Sequence, residues 1–162
     1  MNTLIVFGAR YLFIVPMLIL IYTWWTQNSH IRWLILMRTL IAALVAVLLV
    51  YFAGDLFPEV RPYITNHTQA LLTNPPSDNS FPSDHSVVSF VIALIVLQFS
   101  YPLGAISLII AGLVGYSRVV AGVHYPVDVF GAIVIAVISV EPANLLFPYI
   151  RPKKEEPNNG IT

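Results

Sequence analysis

The stretch from Trp33 to Ala53, WLILMRTLIAALVAVLLVYFA, carries a single charge, Arg38, in its 21 residues. A helix that crosses the hydrocarbon of a bilayer needs about 20 consecutive, mostly apolar residues, and this stretch supplies them. Arg38 stands near its polar end, where a long basic side chain can snorkel toward the headgroups. The rest of the 162-residue chain has the same character, with 57% hydrophobic and only 10% charged residues, against roughly 25% charged in an average soluble domain. A soluble fold of this size leaves too much surface exposed to hide so much apolar area. The chain is therefore read as an all-α, polytopic membrane helical bundle.

On the N-terminal side of that stretch, Thr26 to Arg32 is a polar break flanked by Trp24, Trp25 and Trp33, as in an aromatic belt at the membrane interface. Before the break, Leu4 to Trp25 forms a first span interrupted by Arg10 and Pro16. With Arg10 near the interface, the deeply buried part starts at Tyr11 and residues 1–9 lie close to the headgroups. The segment lacks the basic start and small-residue cleavage site of a signal peptide, so it is expected to be retained. On the C-terminal side, Gly54 to Pro82 is rich in Pro, Asn, Asp, Ser and Thr. Those are turn and loop formers, and polar inserts of this length are commonly functional.

A third span is predicted from Asp84 to about Tyr101, a tight turn at Pro102–Gly104, a fourth span from Ala105 to about Val120, and a fifth from about Val127 to Tyr149 with Glu141-Pro142 inside it. About five transmembrane helices result. Residues 1–150 make one membrane domain and 151–162 a solvated polar tail. Gly112, Gly115, Gly122 and Gly131 are expected to be packing notches, Gly122 also permitting a turn. Five spans put the termini on opposite faces. His30, Arg32, Arg38, Arg151, Lys153 and Lys154 gather on one face, Arg10, Arg61 and Arg118 on the other. By the positive-inside rule the first face, with the C-terminus, is cytoplasmic and the long polar loop is outside.

Ionisable residues at membrane spans are costly and are functional candidates by default. Here Arg61-Pro62, Pro82-Ser83-Asp84-His85, Ser117-Arg118 and His124-Tyr125-Pro126-Val127-Asp128 are all delivered to that outer layer by helix ends. Arg61 and Arg118 offer bidentate donors suited to phosphate oxygens. Ser83 is placed as the N-cap of the third span, and the start of a helix attracts anions. His124 and Asp128 are four apart; with Pro126 in the first helical turn they share a side. Asp128 can then accept from one imidazole nitrogen and leave the other free to attack, the orienting logic of a nucleophilic histidine. His85 can give a proton to a leaving oxygen. Nucleophile, orienting carboxylate, acid and anion clamp describe phosphoryl transfer without a metal.

These residues resemble the type 2 phosphatidic acid phosphatase (PAP2) superfamily, whose signature is K-x6-R-P, then P-S-G-H, then S-R-x5-H-x3-D. Ser117-Arg118, His124 and Asp128 match the third element completely, and Pro82-Ser83-Asp84-His85 matches the second with Asp in place of Gly. Arg61-Pro62 matches the end of the first, while Gly54 stands where its Lys is expected. The F-P-S-D-H form and G-V-H-Y-P-x-D resemble the bacterial undecaprenyl-diphosphate phosphatase branch. The resemblance implies a PAP2/haloperoxidase-like core, a phosphohistidine on His124, and His85 as the acid. It also implies Arg61, Ser83, Ser117 and Arg118 as phosphate ligands, Asp84 as a modulator of the phosphate pocket, and neither metal nor cofactor. The expected partners are a lipid phosphate or diphosphate and the surrounding membrane lipids, in a bacterial plasma membrane.

Other readings are constrained. The absence of cysteine excludes disulfides, thiolate nucleophiles and Cys metal sites. A formal net charge of zero argues against nucleic acid, which leaves a basic footprint. His30 and His67 read as interfacial side chains, and Arg10 and Arg38 as topology determinants. A rival assignment gives Asp84, His85 and Asp128 to a metal, although hard oxygen ligands are few. Alternative substrates are phosphatidic acid and phosphatidylglycerol phosphate. An alternative acceptor is a lipid alcohol in place of water. A transporter or lipid-binding module would instead be expected to show repeats and helices broken at the midplane, and no internal repeat is present.

Overall fold

The computed structural model of the chain describes residues 2–149, so the tail from Arg151, with Lys153 and Lys154, lies outside the described residues. Among them the structure is all helix: α1 (Asn2–Tyr11), α2 (Ile14–Trp25), α3 (Ser29–Leu56), the short α4 (Pro62–Thr65), α5 (Asp84–Phe99), α6 (Tyr101–Val120) and α7 (Pro126–Leu146). By length and composition α3, α6 and α7 can each cross a membrane, and the α1–α2 pair, bent by 47°, makes a fourth where the pair is counted as one broken span. The third expected span is α5, of 16 residues. At 1.5 Å per residue it is about 24 Å long, short of a hydrocarbon core near 30 Å. Its sequence is apolar on every side, and it is packed against α2, α3, α6 and α7. Most of its residues are buried against those neighbours.

The helix starts follow from the local sequence. Asn28 caps α3 by accepting the Ile31 N–H at 3.0 Å. The first span breaks at Leu12–Phe13 and not at Pro16, because Pro16 falls in the first turn of α2, where its missing N–H has no helical partner to lose. For the same reason the turn expected at Pro102–Gly104 moves back to Ser100: Pro102 lies in the first turn of α6. Gly104 is then helical and serves close packing, since a Cβ there would lie 2.2 Å from the Leu97 Cα. Gly115 and Gly131 are notches of the same kind, against Val129 and Phe81, but Gly112 faces open space. Gly122, at φ +78°, makes the turn between α6 and α7.

Arg38 departs from the sequence reading. It is 3% exposed and donates to the carbonyl of Phe147 through Nε at 2.8 Å, and also to the side chain of Gln98. Phe147 is the C-cap of α7, so the guanidinium satisfies a helix-end carbonyl inside the bundle and does not reach for the headgroups. At the opposite end of the bundle, α1 packs on α6, and Arg10 donates to the carbonyl of Thr73 in the long loop.

Candidate active site

The turn between α6 and α7 brings the third motif together. Gly122 reverses the chain, Val123 and His124 follow, and Tyr125 caps α7 in an extended conformation. Asp128, the third residue of α7, turns its carboxylate back and accepts the Tyr125 N–H at 2.8 Å. The same oxygen, Oδ2, lies 3.2 Å from His124 Nδ1. It also accepts from the Ser80 hydroxyl at 2.5 Å. Asp128 is fully buried and His124 is 3% exposed.

The far side of the imidazole faces cations. His124 Nε2 is 3.1 Å from Arg118 Nη2 and 3.3 Å from Arg61 Nη1. A guanidinium can donate but not accept, so Nε2 presents its lone pair to both arginines and the ring proton sits on Nδ1, toward Asp128. Burial pushes the His124 pKa below its usual 6.5, and the charges of Arg118 and Arg61 push the same way, with Asp128 opposing them. The ring is thus held neutral at neutral pH, with Nε2 aimed at the place where two guanidiniums converge.

The two arginines are held differently. Arg61, at the N-cap of α4, uses all five of its N–H donors. Nε reaches the Asp78 carbonyl at 3.1 Å, Nη2 reaches Asp78 Oδ1 at 2.7 Å and the Asn79 carbonyl at 2.9 Å, and Nη1 reaches the Val123 carbonyl at 3.0 Å besides His124. Arg118 donates to the Ala9 carbonyl at 3.1 Å, and its Nε is buried with no partner. An unsatisfied buried donor is costly, and one on a cation beside the His124 ring suits an anion.

The second motif lies at the start of α5. Ser83 occupies the N-cap position as expected but makes no capping bond; its hydroxyl oxygen accepts from Ser86 at 3.0 Å, and its N–H reaches the Asp128 carbonyl at 3.4 Å. His85 packs edge-on against Phe13, ring centroids 4.8 Å apart, within electrostatic reach of Arg118, His124 and Arg61. Asp84 is exposed. It lines the end of an apolar cavity of about 570 Å³ between α2, α3 and α5, and also, with Asp55 and Asp78, a second pocket of about 380 Å³ of mixed lining. Ser117 is less available than the others: its hydroxyl donates to the Leu113 carbonyl at 2.8 Å, and Gly8 covers it so closely that a Cβ there would lie 2.4 Å from Oγ. No group of three or more His, Cys, Asp or Glu among the described residues is placed to hold a metal ion.

The structure adds residues that the motifs do not name. Ser80 and Asp78 come from the long loop, where turn-forming composition hides any single position. Phe13 comes from the break in the first span and the Ala9 carbonyl from the last turn of α1 before it, and only the two interruptions at Arg10 and Pro16 hint at them.

The chain is similar to known proteins over most of its length. The model of the PAP2 superfamily matches residues 33–151. The chain is 36% identical over 143 residues to undecaprenyl-diphosphatase BcrC of Bacillus subtilis (strain 168), covering 85% of this chain and 70% of that one. It is 34% identical over 139 residues to a protein of Bacillus licheniformis named bacitracin transport permease protein BcrC, covering 86% and 68%. Among solved structures, Aquifex aeolicus LpxE superposes with a TM-score of 0.68 at 27% identity, over 88% of this chain and 82% of that one. With the motif residues assembled at one end of an apolar helical bundle, the chain belongs to the PAP2 superfamily and is a membrane lipid phosphatase.

Proposed function

We propose that the protein hydrolyses a polyprenyl diphosphate of the undecaprenyl type to the monophosphate, through a phosphohistidine on His124, at the extracytoplasmic face. The observation that carries the chemistry is the pair of contacts on the His124 ring, Asp128 on Nδ1 and two guanidiniums on Nε2. As the distal phosphate enters, its oxygens take over the Arg118 Nη2 and Arg61 Nη1 donors that rest on Nε2, and the freed Nε2 attacks the phosphorus. The bond from phosphorus to the bridging oxygen breaks, and the polyprenyl monophosphate leaves with a proton from His85. Water then attacks the phosphohistidine and gives a proton to His85. The N–P bond breaks and inorganic phosphate departs. The ring becomes cationic on phosphorylation, so an aligned carboxylate contributes most at that moment.

The lipid class is supported by the relative named undecaprenyl-diphosphatase and by the apolar cavity whose end Asp84 lines. The sidedness is supported by the positive-inside rule, since His30 and Arg32 stand at the start of α3, at the end of the bundle opposite the motifs. A panel of polyprenyl diphosphate, phosphatidic acid and phosphatidylglycerol phosphate, assayed for phosphate release in excess chelator, tests the reading. Polyprenyl diphosphate should be turned over fastest. A faster rate on either glycerolipid would move the assignment to that substrate, and activity that needed an added divalent ion would overturn the metal-free route.

A further inference from the structure

Asp128 receives three donors on Oδ2, while its Oδ1 is buried with no partner. Two of the three belong to the His124–Asp128 motif itself. The third is the Ser80 hydroxyl, the shortest of the set at 2.5 Å and fully buried. Ser80 is itself fixed: its N–H donates to the Glu59 carbonyl at 2.9 Å. The Asn79 side chain beside it accepts from the N–H groups of Glu59 and Phe81 and donates to the Gly54 carbonyl at 2.7 Å. The residues just before it, Asp78 and Asn79, hold Arg61. Three consecutive loop residues thus fix both the anion clamp and the carboxylate behind the nucleophile.

We propose that Ser80 is a positioning residue of the reaction, holding the Asp128 carboxylate in the one rotation that directs Oδ2 at His124 Nδ1. This rests on His124 being the nucleophile. With its donors on a single oxygen, the carboxylate cannot exchange its two oxygens without breaking every bond it makes. Without Ser80 it turns more freely, and the imidazole loses its fixed bearing on phosphorus. The carboxylate is also less neutralised and draws more strongly on the Nδ1 proton, which favours the imidazolium. The charged and titratable groups around that ring are Asp128, Arg118, Arg61 and His85, and Ser80→Ala changes none of them directly.

The test is steady-state phosphate release from polyprenyl diphosphate in detergent micelles across pH. Ser80→Ala should lower kcat about 10- to 100-fold, the range for losing a hydrogen bond to a buried charge, with KM little changed and the acid limb of the pH profile moved toward neutral. Ser80→Cys, close in volume and a weaker donor, should recover part of the loss; it supplies the same pH readout if the alanine variant does not fold. In an Asp128→Asn background, Ser80→Ala should cost little more, because the two act through one contact. A folded Ser80→Ala with wild-type kcat and pH profile, beside a crippled Asp128→Asn, sinks this proposal alone. An unimpaired Asp128→Asn sinks the nucleophile assignment along with it.

Discussion

Replacing Arg118 with lysine keeps the charge and removes the fork. In the structure the guanidinium spans two directions, Nη1 to the Ala9 carbonyl and Nη2 to His124 Nε2, both at 3.1 Å, with Nε free of any protein partner. An ammonium is a point and cannot serve both directions. If it stays with the Ala9 carbonyl, the transferring phosphoryl group loses one charge-assisted contact worth about 1.5–3 kcal/mol. At about 1.4 kcal/mol per tenfold in rate, that is a loss of roughly 10- to 150-fold in kcat/KM. The same exchange at Arg61 should behave differently. All five Arg61 donors are engaged, four of them on the loop and turn that frame the site. A lysine there has three donors at most, so at least two contacts of a 4%-exposed side chain are lost, about 2–4 kcal/mol of stability. The assay pairs phosphate-release kinetics with thermal denaturation in detergent. Arg118→Lys should lose rate at a nearly unchanged melting temperature, whereas Arg61→Lys should melt several degrees lower. Full activity in Arg118→Lys, or equal melting of the two variants, would refute this division of labour.

Other expectations are more direct. His124→Ala should abolish both turnover and any acid-labile phosphoenzyme. His85→Ala should slow phosphate release from phosphatidic acid, whose leaving alkoxide needs the proton, by about 10²–10⁴-fold, and be less harmful with polyprenyl diphosphate or p-nitrophenyl phosphate, whose leaving groups need it less; equal losses on all three would count against His85 as the acid. Because the nucleophile must be neutral and burial with two guanidiniums depresses its pKa below 6.5, activity should persist as pH falls from 7 and decline only below about 6.5. An acid limb centred above neutrality would contradict the packing around His124. A cysteine placed at Thr73 should react with an impermeant reagent in whole cells and one at Asn159 should not, the reverse pattern inverting the topology. Gly104→Val should lower the melting temperature markedly, since even a Cβ at that position falls 2.2 Å from the Leu97 Cα.

What the sequence showed and what it hid follow from the range of the contacts. His124 and Asp128 are four apart, with a proline fixing the helix start between them, so their pairing was legible from spacing alone. The assembly of Arg61, Arg118 and His85 around them was legible because each stands at a helix end facing one layer. Arg38 was misread for the opposite reason. Its position near a span end suggests snorkelling, and nothing within a turn of it reveals the Phe147 carbonyl, 109 residues away. Ser80 was invisible because a loop has no period: among several serines and asparagines, only the folded path shows which one meets Asp128. The turn at Pro102–Gly104 failed on a local rule, since proline suits both a turn and the first turn of a helix, and composition alone does not choose.

The contact from Arg118 to the Ala9 carbonyl also spans 109 residues, and it bears on how such a protein comes into being. A ribosome feeding the chain into the membrane delivers α1 and α2 long before it delivers α6. Throughout that interval the carbonyl of Ala9 waits for a donor that has not been made. The guanidinium, once made, finds its seat already in place. The contact therefore forms late, when the earliest helix closes over one of the last, and a chain that stops short of α6 cannot make it.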